Sequence, residues 1–527
     1  MVTFARSLAL PAAFLLAMTS CATARPATAA TCTAPQTEGT AEHGLCVFKG
    51  IPYAAPPVGD LRFRPPQPVA RRTGTLKADD GSRVCPQFRD DSSEEYPDKR
   101  EVYTDEDCLT LNIWAPRKDG HQRPVIVFIH GGAARFGTAN EPRYAGDRLA
   151  SKGDAVVVTV NYRLGVFGWT ELGGMDKAYA GSGNNGLRDQ MMALTWVREH
   201  IAGFGGDPRN VTAVGESEGA FSISAMLATD RPERLFRRVI LQSGSGSLVQ
   251  QASYKRGISE RFPVQDVAGL RSMSTTELLG LQEKTIRSQA PGVHGAVYFG
   301  PYVDGELVKG PVADQVRKGN ARKVDIMVGT TRDEVNFFGQ FGPGGTADVA
   351  GQYWKSFFPA PLKPVREHMV ATYRKGRTKQ EATLAMFTDQ ALRVPATRLA
   401  GEQSRWRPSY VFEFGWRPPE GIGAIHTIEL PFMFGSLSFT GIPGGAEALR
   451  ADRERLTTLS DQMIDAWTSF AASGDPDARR TVARPAWPAY RASRATMIWD
   501  LPPKVVNDLR GRERELWDRV PLEPFGR

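Results

Sequence analysis

The sequence predicts an α/β fold, and three observations carry that expectation. Strand-like and helix-like runs alternate along the chain with no low-complexity linker between them. Val125-Ile126-Val127-Phe128-Ile129 is apolar at every position, the composition of a fully buried strand. Gly215-Glu216-Ser217-Glu218-Gly219 reads G-x-S-x-G between an apolar run, Val211 to Val214, and a helix-like run, Ala220 to Ala228. A chain of 527 residues could hold several domains, but α/β folds often run long. We read residues 31–527 as one large domain with surface insertions, after a leader at 1–30.

The leader comes first. Arg6 precedes an apolar run from Leu8 to Met18, and small residues follow through Ala30. This is the pattern of a secretory signal peptide, too short for an ordinary membrane span, with cleavage near Ala24 or Ala29-Ala30. An alternative processing is lipidation at Cys21, because Met18-Thr19-Ser20-Cys21 is similar to a bacterial lipobox with a poor first residue. Export to a secreted, periplasmic or extracellular location, or anchoring at the cell surface, permits disulfides. Excluding Cys21, four cysteines remain, which allow three pairings.

After the buried strand Val125–Ile129 comes His130-Gly131-Gly132-Ala133. Its small residues leave backbone N–H groups open to an incoming ligand, and His130 reads as a structural hydrogen-bonding residue. At G-x-S-x-G the strand turns sharply into a helix, and the glycines on either side of Ser217 let the two elements approach closely. Asn210-Val211-Thr212 matches a glycosylation acceptor but enters a buried strand, so we discount it. The pattern turns helical and charged over about 259–301 and 349–405, which predicts a helical cap over the site. Gly342-Pro343-Gly344-Gly345 falls in an expected lid or insertion. Asp325-Ile326-Met327-Val328-Gly329 and Tyr410-Val411-Phe412-Glu413-Phe414 are the late strands.

An exposed serine on such a turn needs a base, and the base needs an orienting carboxylate. The chain has seven histidines, and only His294, His368 and His426 follow Ser217. His368 sits in a charged helical stretch and reads as a surface residue, and His294 lies in a Gly-rich loop. His426 hangs in a loop after a late strand, where such a base belongs. For the acid, Asp333 and Glu334 follow the strand at Asp325, and Asp304 is the rival. A carboxylate at a strand's C-terminal end points to the same sheet edge as Ser217.

Composition excludes other classes. Hydrophobic content of 41% is ordinary for a globular chain. The net charge of +8 is spread out, with no dense basic stripe interleaved with aromatics, so we predict no nucleic-acid partner. Gly244-Ser245-Gly246 is too short for a dinucleotide loop, and no Cys/His spacing suggests a metal. We expect no cofactor.

Further motifs carry a resemblance. They are Phe48-Lys49-Gly50-Ile51-Pro52-Tyr53-Ala54, Glu106-Asp107-Cys108-Leu109-Thr110-Leu111-Asn112 and Asn161-Tyr162-Arg163-Leu164-Gly165. Phe204-Gly205-Gly206-Asp207-Pro208, Leu241-Gln242-Ser243-Gly244, Arg332-Asp333-Glu334 and His426 with Glu429-Leu430-Pro431-Phe432 complete the set. From about Phe48 to Trp499 the chain resembles the type-B carboxylesterases and lipases, which include cholinesterases and bacterial carboxylesterases. The resemblance implies an α/β-hydrolase fold, with a large, mostly parallel central sheet flanked by helices and carrying helical cap insertions. It implies hydrolysis of a small carboxylic ester through an acyl-enzyme, with amide, carbamate or thioester cleavage and a non-catalytic binding protein as alternatives.

The resemblance implies Ser217 as nucleophile, His426 as general base and acid, and Glu334 as orienting carboxylate. It implies backbone N–H groups of Gly132, Ala133 and Glu218 as oxyanion donors, and Glu216 and Ser243 as supports behind the histidine. It implies a Cys85–Cys108 disulfide, which leaves Cys32 and Cys46 as the second pair. Three departures stand out. Glu218 occupies a position where the family usually has alanine, so its carboxylate must point away, be protonated or pair with a cation. Arg135 stands where the family often has aromatics, and it is either solvated or paired with Glu218 or a substrate carboxylate. No tryptophan lies between Cys85 and Cys108, only Tyr96 and Tyr103, so choline esters are not expected.

Overall fold

The middle of a 13-stranded sheet runs parallel throughout, and its strands are the apolar runs of the sequence. In spatial order they are Val156–Val160, Arg123–Ile129, Gly206–Glu216, Arg238–Gln242, Asp325–Thr331, Ser409–Phe414 and Ala495–Trp499. Antiparallel strands extend both ends, from Thr110–Pro116 out to Thr31–Ala34 on one side and Lys504–Asn507 on the other. This computed structural model describes residues 31–81, 83–87, 105–117, 119–264, 266–287, 298–341 and 363–520. The leader with Cys21, the Gly342–Gly345 stretch, His294, Tyr96 and Tyr103 lie outside them.

The period of two along each strand explains why these runs are apolar throughout. Val125, Val127 and Ile129 feed one core with Leu187, Leu194 and Val197 of the helix Asn185–His200. Ile126 and Phe128 point the other way, into a second core with Met463, Trp467 and Phe470 of the helix Arg453–Ser473. Each such side chain, fully buried, contributes roughly 1.5–3 kcal/mol. A strand with helices on both faces has no solvent side, so alternation disappears from its sequence.

Both disulfides form: Cys32 to Cys46 and Cys85 to Cys108. The first ties the edge strand Thr31–Ala34 to Leu45–Pro52. Asn210 lies inside the strand Gly206–Glu216, and its amide donates to the Ala472 carbonyl at 3.2 Å. The expected cap segments are helical where described: Val267–Ser272, Thr275–Arg287, Lys363–Tyr373, Lys379–Thr388 and Val394–Gln403. His368 is exposed on the third of these. Among the described residues, no helix is long and apolar enough to cross a membrane.

Candidate active site

The candidate residues gather where the parallel strands end. Ser217 follows the strand Gly206–Glu216 directly and precedes the helix Glu218–Met226. Its φ of 53° and ψ of −121° place a non-glycine residue in strained backbone. The glycines make that turn fit. A side-chain carbon on Gly219 would lie 2.0 Å from the Ile129 carbonyl oxygen, and one on Gly215 2.4 Å from the Gly219 carbonyl carbon. Ser217 is half-buried in an otherwise buried segment, so the turn exposes one side chain.

On the Nδ1 side of His426 both oxygens of Glu334 are hydrogen-bonded. His426 Nδ1–H donates to Glu334 Oε2 at 2.6 Å. The other oxygen, Glu334 Oε1, accepts from Ser243 Oγ at 2.6 Å and from the Thr331 N–H at 2.8 Å. The loop that carries His426 is clamped as well: the Asp333 N–H donates to the Ala424 carbonyl at 2.9 Å, and the Ala424 N–H donates to Asp333 Oδ2 at 2.8 Å. Glu334 is therefore the carboxylate brought to the histidine, and its neighbour Asp333 fixes the loop. Asp304 is used elsewhere, accepting from the N–H groups of Glu306, Leu307 and Val308 and from Asn184.

Two supports differ from the sequence expectation. Glu216 does not stand behind the histidine. Its Oε1 lies 3.2 Å from Nε2, on the side away from Glu334, and Nε2 makes no aligned hydrogen bond among the described residues. Ser243 acts through Glu334, not on the imidazole. Gln242 extends the network: its amide donates to Glu429 Oε1 at 2.9 Å and its oxygen accepts from Trp467 Nε1 at 3.3 Å.

The electrostatics follow. Burial works to lower the pKa of His426, but Glu216, Glu334 and Glu429 outweigh it and push it up to about 9. Burial lifts Glu216 to about 8. These two groups face each other, Glu216 Oε1 at 3.2 Å from Nε2. His130 shows the opposite. Buried and stacked on Tyr162 at 4.6 Å, with Nδ1 2.9 Å from the Gly131 carbonyl oxygen, it is driven down to about 4 by burial. It stays neutral and structural, as the sequence implied.

The segment after His130 is also strained: Gly132, Ala133 and Ala134 have φ of 96°, 53° and 56°. That path turns the N–H groups of Gly132 and Ala133 away from protein acceptors. Among the described residues, neither they nor the Glu218 N–H donates to any acceptor. The Glu218 N–H is also free as the first of a helix, where the dipole favours negative charge.

Arg135 departs from the solvated reading and from pairing with Glu218. It is neither solvated, at 16% side-chain exposure, nor paired with Glu218; its Nη2 donates to Glu283 at 2.6 Å. Its charge is thus matched within the protein by the cap helix Thr275–Arg287. A second cap helix, Lys379–Thr388, touches the site where Thr388 Oγ1 accepts from the Val335 N–H at 3.4 Å. Phe337 and Phe338 flank the imidazole with ring centroids at 5.9 and 5.3 Å.

Comparison with known proteins decides the lineage. A model of the carboxylesterase family matches residues 33–517. The chain belongs to the carboxylesterase family. The para-nitrobenzyl esterase of Bacillus subtilis strain 168 is 35% identical over 492 residues, covering 91% of this chain and 96% of that one. A phenmedipham hydrolase of Pseudarthrobacter oxydans is 32% identical over 498 residues, covering 90% and 96%. Among solved structures, a thermophilic PNB esterase matches with a TM-score of 0.80 at 34% identity, over 91% of this chain and 97% of its own. A carboxylesterase of Geobacillus stearothermophilus matches at 0.79 and 35% identity, over 91% and 98%. This esterase is a carboxylic ester hydrolase with an α/β-hydrolase fold.

Proposed function

We infer that the enzyme hydrolyses small carboxylic esters through an acyl-enzyme on Ser217, with His426 as general base and acid and Glu334 as its orienting carboxylate. The observation that carries the reading is the 2.6 Å Nδ1–H to Glu334 bond, whose acceptor is itself held by Ser243 and Thr331. That bond fixes the imidazole tautomer and leaves Nε2 as the basic nitrogen for Ser217. Neutral His426 takes the Ser217 proton as the oxygen attacks the ester carbonyl. The oxyanion is received by the unoccupied N–H groups of Gly132, Ala133 and Glu218. His426 then protonates the leaving alcohol, and water repeats the cycle to release the acid.

The surrounding carboxylates favour the protonated imidazole, so His426 must lose that proton before it can act as base. Activity therefore falls as pH drops and His426 stays protonated.

Export is part of the proposal. The two disulfides support passage through an oxidising compartment, with residues 1–30 as the leader.

Hydrolysis of short p-nitrophenyl esters by the mature protein, beside Ser217→Ala, tests the reading. Wild-type turnover with a loss of about 10⁴-fold or more in kcat for the variant is expected. Turnover that survives in Ser217→Ala would remove the serine from the chemistry.

A further inference from the structure

The turn that offers the Gly132 and Ala133 N–H groups is costly to hold. Gly132, Ala133 and Ala134 have φ of 96°, 53° and 56°, and both alanines have a side chain. Consecutive left-handed residues persist only where their surroundings over-determine them. Local bonds do part of this: the Gly132 carbonyl accepts from the N–H groups of Arg135 and Phe136 at 2.9 and 3.0 Å. Those bonds close the turn on itself but do not tie it to the rest of the site.

The tie runs through Arg135. The Ala134 carbonyl accepts from the Gly165 N–H at 2.6 Å, at the start of the short helix Gly165–Trp169. The next N–H, of Val166, donates to Gln282 Oε1 at 2.9 Å. Gly165 admits that amide, since a side-chain carbon there would lie 1.9 Å from Oε1. Gln282 Nε2 donates in turn to Glu283 Oε1 at 3.3 Å, and the same oxygen accepts from Arg135 Nη2 at 2.6 Å. The path returns to the residue beside Ala134. The turn, the short helix and the cap helix Thr275–Arg287 thus form one closed ring of hydrogen bonds. The cap helix is itself fixed at its other end. Thr275 Oγ1 donates to Glu106 Oε1 at 2.6 Å, Arg62 Nε donates to Glu106 Oε2 at 2.8 Å, and Arg62 Nη1 donates to the Met273 carbonyl at 2.6 Å.

We propose that Arg135 and Glu283 are positioning residues for ester hydrolysis: their ion pair fastens the oxyanion turn to an anchored cap helix and so sets the aim of the Gly132 and Ala133 N–H groups. The inference rests on the oxyanion site proposed above. Aim matters because such donors lower the barrier only when they already point at the charge that develops in the transition state. The two side chains are 16% and 23% exposed, so water reaches either charge when its partner is removed. Single variants should therefore fold, and their loss should fall on kcat.

The test measures kcat and KM on p-nitrophenyl acetate and on p-nitrophenyl hemisuccinate, with Ki for an alkyl trifluoromethyl ketone, in Arg135→Met, Glu283→Met, the double variant and Arg135→Lys. The ketone takes up the serine oxygen and presents an oxyanion to the turn, so its Ki reads the aim of the donors. Arg135→Met is expected to lower kcat by about 10-fold on both esters, with KM within about threefold and Ki raised about 10-fold. Glu283→Met should do the same, and the double variant should be no slower than either alone, because the pair acts as one unit. Arg135→Lys keeps a cation for a pair that uses one guanidinium nitrogen, and should hold kcat within about threefold of the wild type. An unchanged kcat in Arg135→Met, losses that multiply in the double variant, a Ki that stays put while kcat falls, or an Arg135→Lys as slow as Arg135→Met overturns the proposal. So does a loss confined to the hemisuccinate, which would make Arg135 a contact for a substrate carboxylate. If Arg135→Met does not fold, Glu283→Met decides: the same joint change in kcat and Ki supports the pairing, whereas full kcat or failure to fold overturns it. Ser217→Ala in the same assay separates the two levels: activity there defeats the serine reading, while its loss beside an indifferent Arg135→Met defeats this inference alone.

Discussion

His130 and His426 are both buried at the same end of the sheet, and their surroundings drive them in opposite directions. His130 has an aromatic ring on its face and a backbone carbonyl at Nδ1, and burial takes it down to about 4. His426 meets the same desolvation, yet Glu216, Glu334 and Glu429 lift it to about 9. Burial alone makes a histidine inert; burial among carboxylates makes it a proton carrier. The first keeps the His130–Ala134 turn in shape. The second does the proton transfer proposed for the reaction.

The largest expected effect comes from removing the carboxylate that sets the His426 tautomer. Glu334→Gln keeps the shape but replaces an acceptor pair with a group that can donate to Nδ1, which favours the wrong tautomer. We expect kcat to fall by about 10³- to 10⁴-fold, with KM much less changed. A loss below about tenfold would show that His426 is oriented by its loop alone, through Asp333 and Ala424.

The next effect is a displacement of the pH profile. Glu216 lies 3.2 Å from Nε2 and is the foremost of the carboxylates that raise His426. Glu216→Gln removes that pull, so the folded pKa of His426 drops and the acid limb of kcat/KM moves to lower pH, by about one unit or more. An acid limb that stays in place would assign the limb to another group.

These partners differ in how far the sequence exposes them. Ser217 and Glu334 are legible because each sits at a fixed step from a strand end, within a few residues of its own signal. His426 is legible because few histidines follow Ser217 and only one hangs in a loop after a late strand. The strands themselves are legible because burial on both faces leaves them uniformly apolar. The side-chain partners are not. Arg135 and Glu283 are 148 positions apart, and no local period links them. The side of the imidazole that Glu216 faces is not legible either, because a five-residue motif fixes its backbone position and not the direction of its carboxylate.

The smallest effect concerns His130 and appears in stability before it appears in rate. Its folded pKa of about 4 lies below the ordinary value of 6.5, so between those values the unfolded chain binds more protons than the folded one. Its contribution is fully present above pH 6.5 and is lost as pH falls toward 4. His426, raised to about 9, has the reverse sign: its contribution is present below 6.5 and is lost as pH rises through 9. His130→Asn keeps a donor for the Gly131 carbonyl but gives up the stack on Tyr162, at a cost of about 1 kcal/mol at pH 7. Because asparagine does not titrate, the variant should lose less stability than the wild type between pH 6.5 and 4, as read from chemical denaturation at a series of pH values. The acid limb of its activity should stay where the wild type has it, since the proton proposed to govern turnover belongs to His426. A limb that moves with this substitution would mean that the two histidines are electrostatically joined, and the contrast between them would have to be redrawn.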